Sequence, residues 1–325
     1  MGQSWLTLKH LELPENAQMA EEENLWLAQR YQKELPEDRT NFAKAWKLLE
    51  VYSHIPPTEI DAHVIAVVSC NAAIPILTFH SRYSQSQREK AYEVFNYGCI
   101  GRWRFLDLYI TEAPEYPDII TRLKAGERLL DLGCCFGHIL RQLAFDGAPA
   151  DNLTGADLRP EFIELGYELF RDKDTFGAHF VTGDILKPTD PGLAILDGKF
   201  DIVHTASFFH LFGWDDQVKI GERVVRFFKP GAKALILGRQ SARWEPLSVD
   251  AWRQSDEKKY HHNVTSLQQL WDVIGEKTGT KWRVTGKLFD SSVSGHSRIF
   301  DTDGDAPVIA GKPRTTIRFV VFKVD

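Results

Sequence analysis

The chain has 325 residues, 43% of them hydrophobic and 12% aromatic, enough to bury a full core as one large domain or as a domain with an extension. Its 39 basic residues are outnumbered by 45 acidic ones, for a net charge of -6 and a pI near 6.0, and they form no run, which argues against a nucleic-acid partner. Four cysteines (Cys70, Cys99, Cys134 and Cys135) lack zinc-ligand spacing and are too few for a disulfide scaffold, so we expect reduced thiols, a cytoplasmic location and no bound metal.

The opening Met1-Gly2-Gln3-Ser4-Trp5-Leu6 has no basic segment leading into an apolar one, and Leu6 breaks the myristoylation pattern. The most apolar window, Val64 to Phe79, is interrupted by Ser69, Asn71 and Pro75 and falls short of the roughly 20 apolar residues that span a bilayer. No membrane span is expected. Up to about residue 95 the pattern is helical, with Phe42, Trp46 and Leu49 at i, i+4 and i+7, while Pro36 and Ile55-Pro56-Pro57 divide it into short helices. This long helical part reads equally as a lid or as the surface of a homodimer.

From Arg128 short apolar runs alternate with helical stretches. Strands are expected at 128–132, 152–157, 178–183, 200–205 and 233–238, with helices from about 137, from Pro160 and over 214–228, the last stopped by Lys229-Pro230-Gly231. A helix near 266–277, a strand at 281–289, a polar loop at 291–314 and a strand at 315–324 complete the chain. The fold class is α/β: a seven-stranded, mostly parallel sheet with helices on both faces, an antiparallel C-terminal strand and a helical N-terminal extension. We divide the chain into a helical cap, 1–110, and a ligand-binding domain, 111–325.

Ligands of open α/β sheets lie beyond the carboxyl ends of the strands, so residues there carry the most weight. The first strand ends in Asp131-Leu132-Gly133-Cys134-Cys135-Phe136-Gly137, a turn whose glycines let bare backbone approach a nucleotide-like ligand. Asp157 ends the second strand, where a carboxylate can accept from both ribose hydroxyls, and Asp184-Ile185 follows the third. Adenosine is therefore the expected moiety. A nicotinamide oxidoreductase fits poorly: Cys135 replaces the middle glycine of G-x-G-x-x-G and His138 the last, and no P-loop is present.

These residues together resemble class I S-adenosylmethionine-dependent methyltransferases. Longer strings resemble a narrower group, the fungal methyltransferases of meroterpenoid biosynthesis: Leu130 to Gly137, Asp146-Gly147-Ala148-Pro149, Asp157-Leu158-Arg159-Pro160-Glu161-Phe162, and Ala206-Ser207-Phe208-Phe209-His210-Leu211-Phe212. The similarity extends to Tyr52-Ser53-His54-Ile55-Pro56, Cys99 to Leu106, Tyr260-His261-His262-Asn263 and Thr278 to Arg283, and covers most of residues 50–290. It implies S-adenosylmethionine as cofactor, held by Asp131, Gly133, Gly137, Asp157, Leu158, Asp184 and Ile185. It also implies O-methylation of a hydrophobic small molecule, with a carboxyl group as the expected acceptor.

The cofactor carries its own electrophile, so a base is needed only for a protonated acceptor: a carboxylic acid with pKa near 4 is ionised at neutral pH, whereas a phenol near 10 is not. His210 and His204, after and at the end of the fourth strand, are the catalytic candidates, His210 as base for a phenol or enol in the alternative reading. Arg102, Trp103, Arg239, His262 and Asn263 are the substrate candidates, the arginines as carboxylate partners. Aromatic residues Trp26, Trp46, Phe79, Tyr83, Phe95, Tyr97 and Trp103, together with an insert from Ser241 to His262, are expected to shape the acceptor cavity. A cofactor-binding protein without catalysis is the remaining alternative.

Overall fold

The structure is a computed structural model that describes residues 35–37, 39–68, 94, 97, 99–290, 298–300 and 315–324. Trp26, Phe79, Tyr83, Phe95 and Cys70 lie outside the described residues. One sheet runs through the molecule. Its strands are β1 (Leu129–Leu132), β2 (Leu153–Asp157), β3 (His179–Thr182), β4 (Ile202–His204), β5 (Leu235–Ala242), β6 (Lys281–Asp290), β7 (Arg298–Phe300) and β8 (Thr315–Val324). They are ordered β3-β2-β1-β4-β5-β8-β6-β7. The first five pair in parallel, and β8 enters antiparallel between β5 and β6.

All seven expected strands are present. The eighth, β7, is a three-residue edge strand inside the segment expected to be a loop, and it pairs with Leu288 to Asp290. Its shortness leaves little periodicity to read.

Helices cover both faces. On one face α3 (Tyr116–Lys124), α4 (His138–Phe145) and α5 (Pro160–Phe170) share an apolar core with the N-terminal segment, where Leu48, Leu49, Ile55 and Ile60 are buried beside Phe136, Ile139 and Phe162. That segment comprises α1 (Ala43–Lys47), flanked by single irregular turns, and α2 (Ile60–Val68). On the other face α7 (Trp214–Phe227) and α9 (Val264–Thr278) pack Ile220, Val224, Leu270, Trp271 and Ile274 against Val203, Ile236 and Ile317. β1, β2 and β4, in the middle of the parallel half, are buried along almost their whole length for this reason, while the edge strand β3 is partly exposed. Two short helices, α6 (Pro191–Ala194) and α8 (Val249–Arg253), lie in the connections. Among the described residues no helix is long and apolar enough to cross a membrane.

Candidate active site

At the carboxyl ends of β1, β2, β4 and β5 the chain encloses a cavity of about 330 Å³. Asp131, Gly133, Asp157, Leu158, Asp184, Ile185, His204 and Arg239 all line it. The sheet explains this convergence. Parallel strands that pair in register place their last residues side by side, so positions far apart in sequence share one rim.

The turn after β1 is shaped by backbone. Gly133, Cys135 and Gly137 have φ of 76, 50 and 60°. Gly133 and Cys134 both donate their N–H groups to the Ala156 carbonyl, at 2.8 and 3.1 Å, which fastens the turn to β2. A side chain at Gly133 would bring its Cβ to 2.7 Å from the Phe208 ring, and one at Gly137 would reach Phe180 at 2.8 Å. Gly137 itself does not line the cavity; it is the N-cap of α4 and lets the helix start there.

Asp157 receives N–H groups from Cys135 at 2.8 Å and Arg159 at 3.0 Å, one on each carboxylate oxygen. Each oxygen keeps a further lone pair for a ligand hydroxyl. Burial pushes the Asp157 carboxyl upward from its ordinary range, and those N–H groups oppose the rise. Leu158 beside it is 52% exposed, an apolar side chain presented to the cavity rather than the core. Asp184 accepts the N–H of Leu186 at 3.0 Å, which fixes the loop after β3, and Ile185 is buried against it.

The opposite end of the cavity is polar. Asp131 Oδ1 and His204 Nδ1 lie 2.7 Å apart, and His204 Nε2 lies 2.7 Å from the Tyr109 hydroxyl. Beyond them Arg239 donates to Asp107 at 2.6 Å and stands 4.1 Å over the Tyr109 ring. His138, at the start of α4, lines the same region, with burial pushing its imidazole down to about 4. Tyr109, Asp107 and His138 were not among the expected site residues. Asp107 and Tyr109 follow the Cys99 to Leu106 string with no local signal of their own, and His138 stood out only as the residue replacing a glycine.

Several expected site residues are placed elsewhere. Trp103 is fully buried, with φ of 57°, and packs on Phe105; Arg102 precedes it outside the cavity wall. His210 lies beside His261, ring centroids 6.1 Å apart, and does not line the cavity. His262 is buried between Gln217 at 3.0 Å and Ser266 at 3.1 Å, and burial pushes it down to about 3. Asn263 caps α9, its side chain accepting from Ser266 N at 2.9 Å. The polar dipeptide thus closes a helix end, a use that spacing alone does not separate from ligand contact. No residue from Ser241 to His262 lines the cavity, and of the expected aromatics that are described, only Tyr97 does.

The family profile described as "Methyltransferase domain" matches residues 129–231. The O-methyltransferase phiE of a fungal species is 35% identical over 84% of this chain and 82% of its own length. The asnovolin E/chermesin D methyltransferase nvfJ of Aspergillus novofumigatus is 35% identical over 81% of this chain and 89% of its own. Methyltransferase adrK of Penicillium roqueforti is 38% identical over 73% and 78%. Magnesium protoporphyrin IX methyltransferase of Synechocystis, solved with bound SAH, has 13% identity over 69% of this chain and 87% of that chain, with a TM-score of 0.41. With the extended identity to these fungal enzymes, the chain belongs to the S-adenosylmethionine-dependent methyltransferases, in the group of fungal secondary-metabolite O-methyltransferases.

Proposed function

We propose that the protein methyl-esterifies a carboxyl group on a hydrophobic, meroterpenoid- or polyketide-like acid. The observation that carries this reading is Arg239. Among the described residues only its Nη1 is engaged in a hydrogen bond, to Asp107, and the guanidinium lies in the wall of a mostly apolar cavity. A planar cation with unspent donors is suited to a carboxylate.

S-adenosylmethionine, when bound, supplies a methyl group on a sulfonium, already electrophilic. Asp157 would hold the ribose, Leu158 and Ile185 would cover the adenine with Asp184 at its edge, and the Asp131 to Gly137 turn would face the methionine part. The residues present fit that ligand: two free lone pairs at Asp157 and a turn that a Cβ would fill. Arg239 orients the acceptor carboxylate, and the surrounding Phe208, Leu211 and Phe212 exclude water from the reacting oxygen. No base is required, since a carboxylate arrives ionised. Tyr97, Phe105, Asp107 and Tyr109, from the chain before β1, complete the acceptor side of the wall.

The test is transfer from labelled S-adenosylmethionine to a panel of prenylated aromatic acids and to the methyl esters of the same acids. Label on the acids and not on the esters is expected. Label retained on the esters would place the methyl elsewhere.

A further inference from the structure

Tyr109 sits at the point where the cavity meets a buried chain of polar groups. Its hydroxyl is 2.7 Å from His204 Nε2, and His204 Nδ1 is 2.7 Å from Asp131 Oδ1. Tyr109, His204 and Asp131 are 5, 0 and 2% exposed, so water does not enter between them. The direction of the hydrogen bonds follows from what each group can do. A carboxylate only accepts, so Nδ1 donates to Asp131; Nε2 is then the bare nitrogen and receives the Tyr109 O–H. Tyr109 is left with lone pairs, and no proton, to offer the cavity.

An oxygen in that state has a definite preference among ligands. It repels a carboxylate oxygen and accepts from an O–H group. The cavity therefore presents two chemistries side by side: Arg239 for an anion, and the Tyr109 oxygen for a protonated acceptor.

We propose that Tyr109, backed by His204 and Asp131, takes the proton of a hydroxyl acceptor, so that the site also methylates phenolic or enolic oxygens. This goes beyond methyl-ester formation and does not depend on it. As the acceptor oxygen bonds the methyl carbon, the methyl–sulfur bond breaks with its electron pair remaining on sulfur. The acceptor proton moves to the Tyr109 oxygen, and the Tyr109 proton moves to His204 Nε2. The positive charge lost by the sulfonium reappears on the imidazolium, which rests on the Asp131 carboxylate until the product leaves and the proton returns through the Tyr109 oxygen to water in the opened cavity. No further reactant is needed.

The surroundings suit a relay rather than a free phenolate. Burial raises the Tyr109 hydroxyl far above its ordinary value, so it holds its proton until His204 accepts it. The charged and titratable groups that face Tyr109 are Asp107 beside it, Asp131 from β1, Arg239 from β5, Arg318 from β8 and, through His204, His138 from α4. The Arg239 guanidinium over the ring stabilises charge that develops on its oxygen during transfer.

The experiment compares the whole protein with its Tyr109→Phe variant, using labelled S-adenosylmethionine and two probes: a prenylated 4-hydroxybenzoate methyl ester, which offers only a phenol, and its O-methylated acid, which offers only a carboxyl. Wild type is expected to label the phenol. At neutral pH the variant should lose roughly 10²-fold more in kcat on the phenol than on the acid, in the range of a lost general base. That loss should shrink as pH rises toward the phenol's own pKa of about 10, because the acceptor then arrives ionised. A merely structural role would lower both acceptors alike at every pH. Equal loss on both probes, a loss independent of pH, or no phenol labelled by wild type would each overturn the relay. If Tyr109→Phe does not fold, His204→Asn is read against the same criteria. Label on the acid alone ends this proposal and leaves the esterification standing; label on the phenol alone does the reverse.

Discussion

The Arg141 guanidinium meets the Asp172 carboxylate through two hydrogen bonds, Nε to Oδ2 at 2.7 Å and Nη2 to Oδ1 at 2.8 Å, with Arg141 fully buried. Its third nitrogen donates to the Phe136 carbonyl of the glycine turn at 2.7 Å, and Asp172 in turn accepts the Tyr52 hydroxyl at 2.8 Å. The rings of Phe170 and Phe176 stand 4.6 and 4.7 Å from the guanidinium carbon. One ion pair thus ties the glycine turn, α4 and the N-terminal segment together.

Removing one partner strands the other. Arg141→Met leaves the buried Asp172 charge without its cation, and should lower stability by about 3–5 kcal/mol in urea denaturation. Arg141→Met with Asp172→Leu should recover most of that loss, because two apolar side chains need no partner. A double variant as unstable as the single one would count against this account.

Asp157 can be tested with S-adenosylhomocysteine and no acceptor at all. Asp157→Ala removes the carboxylate that sits between the Cys135 and Arg159 N–H groups and the cavity. Calorimetry should show a loss of about 1.5–3 kcal/mol in binding, the worth of hydrogen bonds to a charged group. Unchanged affinity would remove Asp157 from the cofactor site.

Gly166 faces the back of the turn. A Cβ there would lie 2.3 Å from the Phe136 carbonyl oxygen, which belongs to backbone that cannot swing aside. Gly166→Ala should therefore cost about 1–3 kcal/mol of stability as an overpacked contact. Because the displaced atom is part of the turn, weaker S-adenosylhomocysteine binding is expected with it, and calorimetry on the folded variant checks that.

Acid should destabilise the fold through its buried histidines. Burial pushes His262 down to about 3 and His138 down to about 4, whereas an unfolded histidine titrates near 6.5. Between those values the unfolded chain binds more protons than the native one, so stability is complete above about pH 6.5 and falls as pH drops toward 4 and 3. The urea midpoint should be lower at pH 5 than at pH 7, and His262→Gln should narrow the difference. A midpoint that rose on acidification would contradict the burial of these rings.

The strand-end rim of the cavity was legible in the sequence because it is local. A strand, a glycine turn and a helix start are written in consecutive residues, and Asp131 and Asp157 lie at the ends of strands, with Asp184 just after one, that their own apolar patterns reveal. The same locality misplaced His262 and Asn263. A polar run before a helix reads alike whether it caps the helix or faces a ligand, and the choice rests on Gln217, 45 positions away from His262.

By itself the sequence determined the seven long strands, the glycine turn after the first of them and the methyltransferase family, all of which depend on short-range periodicity and on strings of adjacent residues. Only the tertiary structure decided which polar groups meet at the acceptor end. Tyr109 and His204 are 95 residues apart, and Arg239 and Asp107 are 132 apart. The partners come from strands and a connecting segment whose order in the chain differs from their order in the sheet. That proximity is created by parallel pairing of β1, β4 and β5, a long-range event that leaves no mark on the neighbours of either residue.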